Sequence, residues 1–315
     1  MAARTRAPAE LVLMATAARR HFIDGRSKIE IAEELGVSRF KVARLLETAR
    51  ATGVVRIEIS VQDDIDVDLS DRLRDRFGLT HAIVVDTVEE DPAVLRRRLG
   101  QVAAELATEI VTEADVLGLS WARSVHAMTR ELSRLPHVPA VQLTGTLSRA
   151  DMDESPVDLV RDVARIARGP AYVFYAPMVM PDAASARALL RQRELVTTFA
   201  QFSSVTKAFV GIGHWSAGAS TLYEAMTDKE RGQLARRGVV GEISGIFITA
   251  KGKAVHGPIS KRIVAIDDTS MRSIPEVVAI PYGLAKEPAV RAALLSGLVD
   301  SVVTDSSLAR ALLDS

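Results

Sequence analysis

Residues 38–44 read Ser38-Arg39-Phe40-Lys41-Val42-Ala43-Arg44, and their side chains could read a base pair. Arg and Lys donate to guanine edges or to phosphates, and a Phe ring can meet a thymine methyl. At about 100° per residue, Phe40 and Arg44 fall opposite Val42, Leu45, Leu46 and Ala49, with Arg39 and Lys41 on the flanks. Such a face suits a major groove, and recognition helices use their N-terminal residues for bases. The plainer reading is a solvated basic face on an ordinary helical hairpin.

A second set of residues could hold a small anionic or polyhydroxylated molecule. Gly118-Leu119-Ser120-Trp121, Thr144-Gly145-Thr146, Ala176-Pro177 and Gly211-Ile212-Gly213 each close an apolar stretch. Hydroxyls and backbone N–H groups beside helix starts favour anions. Taken singly, each is a tight connection; four on one sheet edge make a site. Lys286, after Pro281-Tyr282-Gly283, could meet a phosphate or pair with Glu242, and Arg123 and Arg262 are further cations near strand ends. Each has an alternative as a solvated surface cation. His214 could be a general acid or base, although a lone His carries little. No metal-ligand spacing, phosphate-binding Gly-rich Lys-Ser/Thr loop or Gly-x-Ser-x-Gly elbow is present, so no metal, cofactor or catalytic set is expected.

The first set needs a helix-turn-helix to position it. Ser27 with Glu30 has capping-box spacing, and Ile31, Ala32 and Leu35 form a short apolar stripe. Gly36 supplies the positive φ that ends the helix, and Ser38 caps the next. Residues 53–57 then turn into a wing-like strand. A supporting helix over 10–24 has Leu11, Met14, Ala15, Ala18 and Phe22 as its buried stripe. His21 lies beside that stripe as a packing or surface residue.

The second set needs a parallel sheet. Past a polar boundary at 62–64, a charged helix over 66–77 stops at Gly78. Apolar strands are expected at 82–85, 116–119, 138–143, 171–175, 207–212, 262–266, 277–280 and 301–303. Amphipathic helices are expected at 92–111, 120–132, 156–167, 285–295 and 306–313, with helical pieces through 201. Residues 240–249 read as one strand paired with 254–255 across a turn at 251–253. This alternation argues for a doubly wound, mostly parallel, Rossmann-like α/β domain, covered on both faces and binding ligands at its strands' carboxyl ends. The chain therefore divides into a winged helix-turn-helix DNA-binding domain at 1–59 and an effector-binding and oligomerisation domain at 60–315.

Composition agrees. With 315 residues, two domains are the natural expectation. No cysteine is present, which excludes disulfides and thiolate metal sites and fits a reducing cytoplasm. No signal peptide is visible, and no apolar run approaches the ~20 residues a membrane helix needs. The zero net charge is unevenly spread: residues 1–56 carry 11 Lys/Arg against 6 Asp/Glu, and the rest carries the opposite excess. A basic head on a mildly acidic body fits a regulator whose head alone meets phosphates.

These stretches resemble the SorC/DeoR-type sugar-binding transcriptional regulators. The resemblance rests on IAEELGVSRFKVARLLETARATGVVRIEI at 31–59, GLSWARSV at 118–125, VQLTGT at 141–146, YAP at 175–177 and GIG at 211–213. It continues with GVVGEISGIFI at 238–248, KRIVAI at 261–266 and VVAIPYGLAKEPAVRAALLSGLVDSVVTDSSLARALL at 277–313. It implies an N-terminal helix-turn-helix and a C-terminal domain like sugar-phosphate isomerases and glucosamine-phosphate deaminases. It further implies a regulator of a carbohydrate-catabolism operon, forming dimers or tetramers and controlled by a sugar, polyol or sugar phosphate. Carried over motif by motif, it points to Ser120, Thr144, Gly145, Thr146, Gly213, Glu242 and Lys286 as the pocket. The chain departs from the usual family pattern at Ala122, Thr146 and Tyr282, where smaller residues are common. The expected partners are double-stranded operator DNA, read by Ser38, Arg39, Phe40, Lys41 and Arg44, the carbohydrate or sugar-phosphate effector, and a second copy of the chain. Two other readings stay open: an isomerase- or deaminase-like enzyme with a DNA-binding appendage, and a DNA-architectural protein.

Overall fold

The computed structural model describes residues 8–56, 64–86, 91–147 and 155–314. The chain divides into two compact units, Met1–Ser60 and Val61–Ser315.

In the first unit, helix α1 (Pro8–Phe22) supports α2 (Lys28–Leu35) and α3 (Arg39–Ala51). The α2 N-terminus carries the capping box read from sequence: Ser27 Oγ accepts from Glu30 N–H, and Glu30 accepts from Ser27 N–H at 2.8 Å. Gly36, at φ +63°, closes α2, and Ser38 Oγ accepts from Lys41 N–H to start α3. Val42, Leu45, Leu46 and Ala49 pack on Ile31 and Ala32 and on Met14, Ala17 and Ala18 of α1. The buried stripe of α1 is therefore rotated from the sequence reading: Leu11 and Ala15 are exposed, and the small Ala17 and Ala18 let the neighbouring helices approach. Glu34 ties the unit together by an ion pair with Arg20 at 2.6 Å and by accepting from Arg26 at 2.7 Å. The described residues 53–56 form no strand, and the rest of the expected wing lies outside the described residues.

The second unit begins with α4 (Val67–Phe77), capped by Asp66 and stopped by Gly78 at φ +65°. It continues through β1 (His81–Val85), α5 (Pro92–Ile110), β2 (Leu117–Leu119), α6 (Arg123–Glu131), β3 (Ala140–Gln142), α7 (Pro156–Ala167) and β4 (Ala171–Tyr172). Then come α8 (Ala183–Leu189), α9 (Arg193–Ala200), β5 (Lys207–Val210), β6 (Ile212–His214), α10 (Thr221–Glu224) and α11 (Asp228–Arg236). A hairpin of β7 (Val239–Ile243) and β8 (Ile246–Thr249) precedes α12 (Asp268–Arg272), β9 (Glu276–Ala279), α13 (Glu287–Leu295), β10 (Ser301–Asp305) and α14 (Ser306–Asp314).

Seven strands form one parallel sheet in the order β1-β10-β9-β5-β2-β3-β4. Helices α4, α13 and α14 cover one face and α5, α6 and α7 the other. The strand order runs outward in opposite directions from the β2–β5 border, the topological switch point at which such sheets bind ligands.

Three expectations are corrected. Residues 240–249 are two strands, because Ser244 at φ +54° and Gly245 at φ +90° turn the chain between them. Residues 262–266 make only isolated bridges, from Ile263 to Val179 and Ala265 to Thr144. The helix after β2 starts at Arg123 rather than Ser120, and no side chain caps it at Ala122.

Candidate effector cavity and nucleic-acid interface

In the first unit, the start of α3 presents a basic, aromatic face. Arg39, Lys41 and Arg44 are exposed, and Phe40 is 80% exposed, an unusual state for a Phe with nothing to cover it. The Arg39 guanidinium lies 5.8 Å from the Phe40 ring centroid. Ser38 differs from the other four, because its hydroxyl is occupied with capping Lys41 N–H.

In the second unit, a cavity of about 830 Å³ opens at the carboxyl ends of the parallel strands. That size suits a small molecule. The switch point forms its floor: Ser120 follows β2 and Gly211 follows β5, with Ser120 N–H donating to Phe209 O at 3.1 Å. Gly211 is required there, since a Cβ would stand 2.4 Å from the Ala122 Cβ. Strand β6 then carries Gly213 under the Glu242 carboxylate, where a Cβ would lie 2.1 Å from Glu242 Oε1.

Glu242 is the buried acid of this cavity. It accepts from Ser220 Oγ at 3.0 Å and Gly245 N–H at 3.1 Å. Burial pushes its pKa up against these two bonds and the Lys286 charge. Lys286 is the matching cation: its Nζ donates to Ile212 O at 3.0 Å and sits 5.0 Å from the Tyr282 ring centroid. Burial, opposed by Glu242 and aided by the like charge of Arg123, pushes its pKa down to about 8. Arg123 lines the cavity at the start of α6.

Of the expected effector residues, Ser120, Arg123, Thr144, Gly145, Gly213, Glu242 and Lys286 meet around this cavity. Thr146 and Arg262 do not. Thr146 turns into a bridge with Pro177, and its N–H donates to Ala176 O at 2.8 Å. Arg262 is held by Glu230 and by Met180 O, the latter at 2.6 Å. The backbone of 144–146 is also no anion nest: Gly145 N–H donates to Val264 O at 2.9 Å, as Thr146 N–H does to Ala176 O. His214 lies outside the cavity lining, with its Nδ1 bonded to Val240 O at 3.0 Å, so it does not converge with Glu242.

Other cavity residues escaped the sequence reading. Ser244, in its left-handed turn, bonds Ser120 hydroxyl to hydroxyl. Ser220 caps α10 while donating to Glu242. Arg96 of α5 donates at 3.3 Å to the hydroxyl of Tyr282, which the sequence shows only as a departure from the family pattern. Ser244 and Gly245 sit in the quoted GEISG stretch, which is the signal that could have located the turn.

Among the described residues no cluster of acids and histidines could hold a metal ion, and no helix is long and apolar enough to cross a membrane.

The chain is similar to known proteins in sequence and fold. A family model described as a putative sugar-binding domain matches residues 64–314. The erythritol catabolism regulatory protein EryD of Brucella abortus is 30% identical over 301 residues, covering 93% of both chains. The transcriptional regulator LsrR of Klebsiella pneumoniae is 28% identical over 312 residues, covering 97% of this chain and 94% of its own. The full-length sorbitol operon regulator SorC of Klebsiella pneumoniae has the same fold, with a TM-score of 0.74 at 23% identity over 97% of this chain and 99% of that one. With the matched domain spanning most of its length, the chain belongs to the SorC/DeoR-type family of sugar-binding transcriptional regulators.

Proposed function

We propose that this regulator reads operator DNA with Arg39, Phe40, Lys41 and Arg44, and that a phosphorylated sugar or polyol in the cavity sets its DNA affinity. The observation that carries the effector class is that two cations, Lys286 and Arg123, the latter at the uncapped start of α6, line one cavity with the buried Glu242. A phosphate set against two cations and a helix N-terminus is favoured electrostatically. Glu242, Ser120, Ser220 and Ser244 would take the hydroxyls, because a buried acid with hydroxyl neighbours discriminates by hydrogen bonds that a wrong ligand leaves unmade. The relatives' names agree with a carbohydrate-type effector: EryD is named for erythritol catabolism and SorC for a sorbitol operon. The protein would work in the cytoplasm as a two-fold dimer or a tetramer of such dimers, which places two recognition helices on the two halves of a palindrome.

Titration calorimetry with paired sugars and sugar phosphates tests the effector class. A phosphate ester should bind to the unaltered protein and lose about tenfold or more in affinity in Lys286→Met, as expected when a charge-assisted bond is removed. Equal binding of esters and parent sugars would reject the phosphate assignment.

One observation favours a second reading. Opposed pKa shifts on Glu242 and Lys286 are what a sugar-phosphate isomerase would use as an acid and base pair. Turnover of a sugar phosphate by the purified chain, lost in Glu242→Gln, would establish that activity.

A further inference from the structure

The structure carries a mechanical link between the cavity and the segment that continues into the DNA-binding unit. Residues 64–66 run antiparallel to the carboxyl end of edge strand β1. Ile65 bridges Val85, Asp66 N–H donates to Val84 O at 2.9 Å, and Asp86 N–H donates to Asp64 O at 2.5 Å. Asp64 holds φ +40°, a conformation that a side-chain-bearing residue keeps only when its surroundings enforce it. Two arginines grip this segment, one from each face of the sheet. Arg98 of α5 reaches Asp64 at 3.5 Å, and Arg310 of α14 reaches Asp66 at 3.8 Å and Asp86 at 3.7 Å.

The same two helices start at the cavity. Arg96 of α5 donates to the Tyr282 hydroxyl at 3.3 Å, and Asp305, which caps α14, accepts from Gly283 N–H at 2.8 Å. Tyr282 and Gly283 belong to the loop that carries Lys286, the cavity cation lying over the Tyr282 ring. One loop thus bonds to both helices, and both helices bond to residues 64–66.

We propose that Arg98 and Arg310 form a two-sided latch on residues 64–66, and that an anion bound at Lys286 works it through Tyr282 and Gly283. The proposal rests on the cavity being the effector site. Each exposed ion pair contributes little alone. Coupling between sites in regulators, however, is itself only about fivefold or more, so a pair of such contacts that differs between two states suffices. Neither arginine lines the cavity, so the latch separates from ligand binding.

The test uses the full chain, inorganic phosphate as the probe, and chloride at matched ionic strength as the control. Thermal shift reports cavity occupancy, and amide hydrogen exchange at Asp66 and Asp86 reports the latch. Phosphate should stabilise both the unaltered protein and Arg98→Ala/Arg310→Ala. It should change exchange at the two amides by about fivefold or more in the unaltered protein and by less than about twofold in the double variant. Stabilisation of both proteins with equal exchange responses, or with none in either, would overturn the latch alone. Absence of stabilisation in the unaltered protein would overturn the cavity reading, and the latch with it.

Discussion

Lys286 carries its charge at neutral pH although burial disfavours the charged form. Its pKa of about 8 lies below the ordinary lysine value of 10.5, chiefly because burial disfavours the charged form. The folded protein therefore holds this proton less tightly than the unfolded chain does. Below pH 8 the charged Lys286 is a standing cost, and stability recovers as pH rises from 8 towards 10.5. Lys286→Met should thus raise stability near neutral pH by about 1–3 kcal/mol in chemical denaturation, even as it weakens anion binding. A phosphate beside Nζ raises the lysine pKa again, so binding above pH 8 takes up a proton. Affinity for a phosphate ester should fall up to about tenfold per pH unit above 8, while a neutral polyol shows no such slope. Calorimetry at pH 7 and 9 separates the two. On the other unit, Arg44→Ala should remove sequence-specific footprinting while leaving the circular dichroism spectrum and melting temperature unchanged, because Arg44 is exposed and outside the helical core. A normal footprint would reject α3 as the reading helix.

At the scale of elements, sequence and structure agree where local chemistry decides. The Ser27–Glu30 box, the left-handed Gly36, the Ser38 cap and the 156–167 helix were all legible, because each depends on residues close together in the chain. Ser38→Ala should accordingly cost about 1 kcal/mol in the melting of the first unit. Agreement fails where partners are distant in sequence. Nothing local distinguishes Arg262, held by Glu230 and Met180, from Arg123, which lines the cavity. The apolar run around 240–249 hid a turn made at a serine with positive φ, a conformation few serines adopt. The amino-terminal end of the sheet was equally invisible. There Glu276 of β9 accepts from His81 of β1 and Ser301 of β10, both at 2.7 Å, and from Lys207 of β5 at 3.4 Å. Burial raises the Glu276 pKa, but these hydrogen bonds and the His81 and Lys207 charges outweigh it, so the net shift is downward. Its stabilising effect is therefore complete above the ordinary glutamate range and is lost as pH falls through the lowered value. Glu276→Gln should cost about 1–3 kcal/mol at pH 7, with the difference closing in acid. A constant difference down to pH 3 would rule out this role for the Glu276 carboxylate.

The molecule as a whole divides its two tasks between two units with opposite charge. The basic first unit carries the exposed Arg39-Phe40-Lys41 face, and the sheet of the second places its cavity at the switch point between β2 and β5. The broad outline was readable because the 3.6-residue stripes and apolar strands alternate in order, and because the strand-end residues fall on one edge. The contents of the cavity were read only in part. Ser220, Ser244, Arg96 and Tyr282 come from four separate segments, and only the crossover topology brings them together. The whole reading turns on a cavity that binds a phosphate ester through Lys286. The most direct measurement is a thermal-shift panel on the full chain, with sugars, polyols and their phosphates, repeated on Lys286→Met. At 100-fold its dissociation constant, an effector should add about 2.7 kcal/mol of stability. One phosphate ester is expected to do so while its parent sugar does not, and the gain should fall to about half or less in Lys286→Met; equal stabilisation by the parent sugar, or a gain untouched by the substitution, would rule out the phosphate reading.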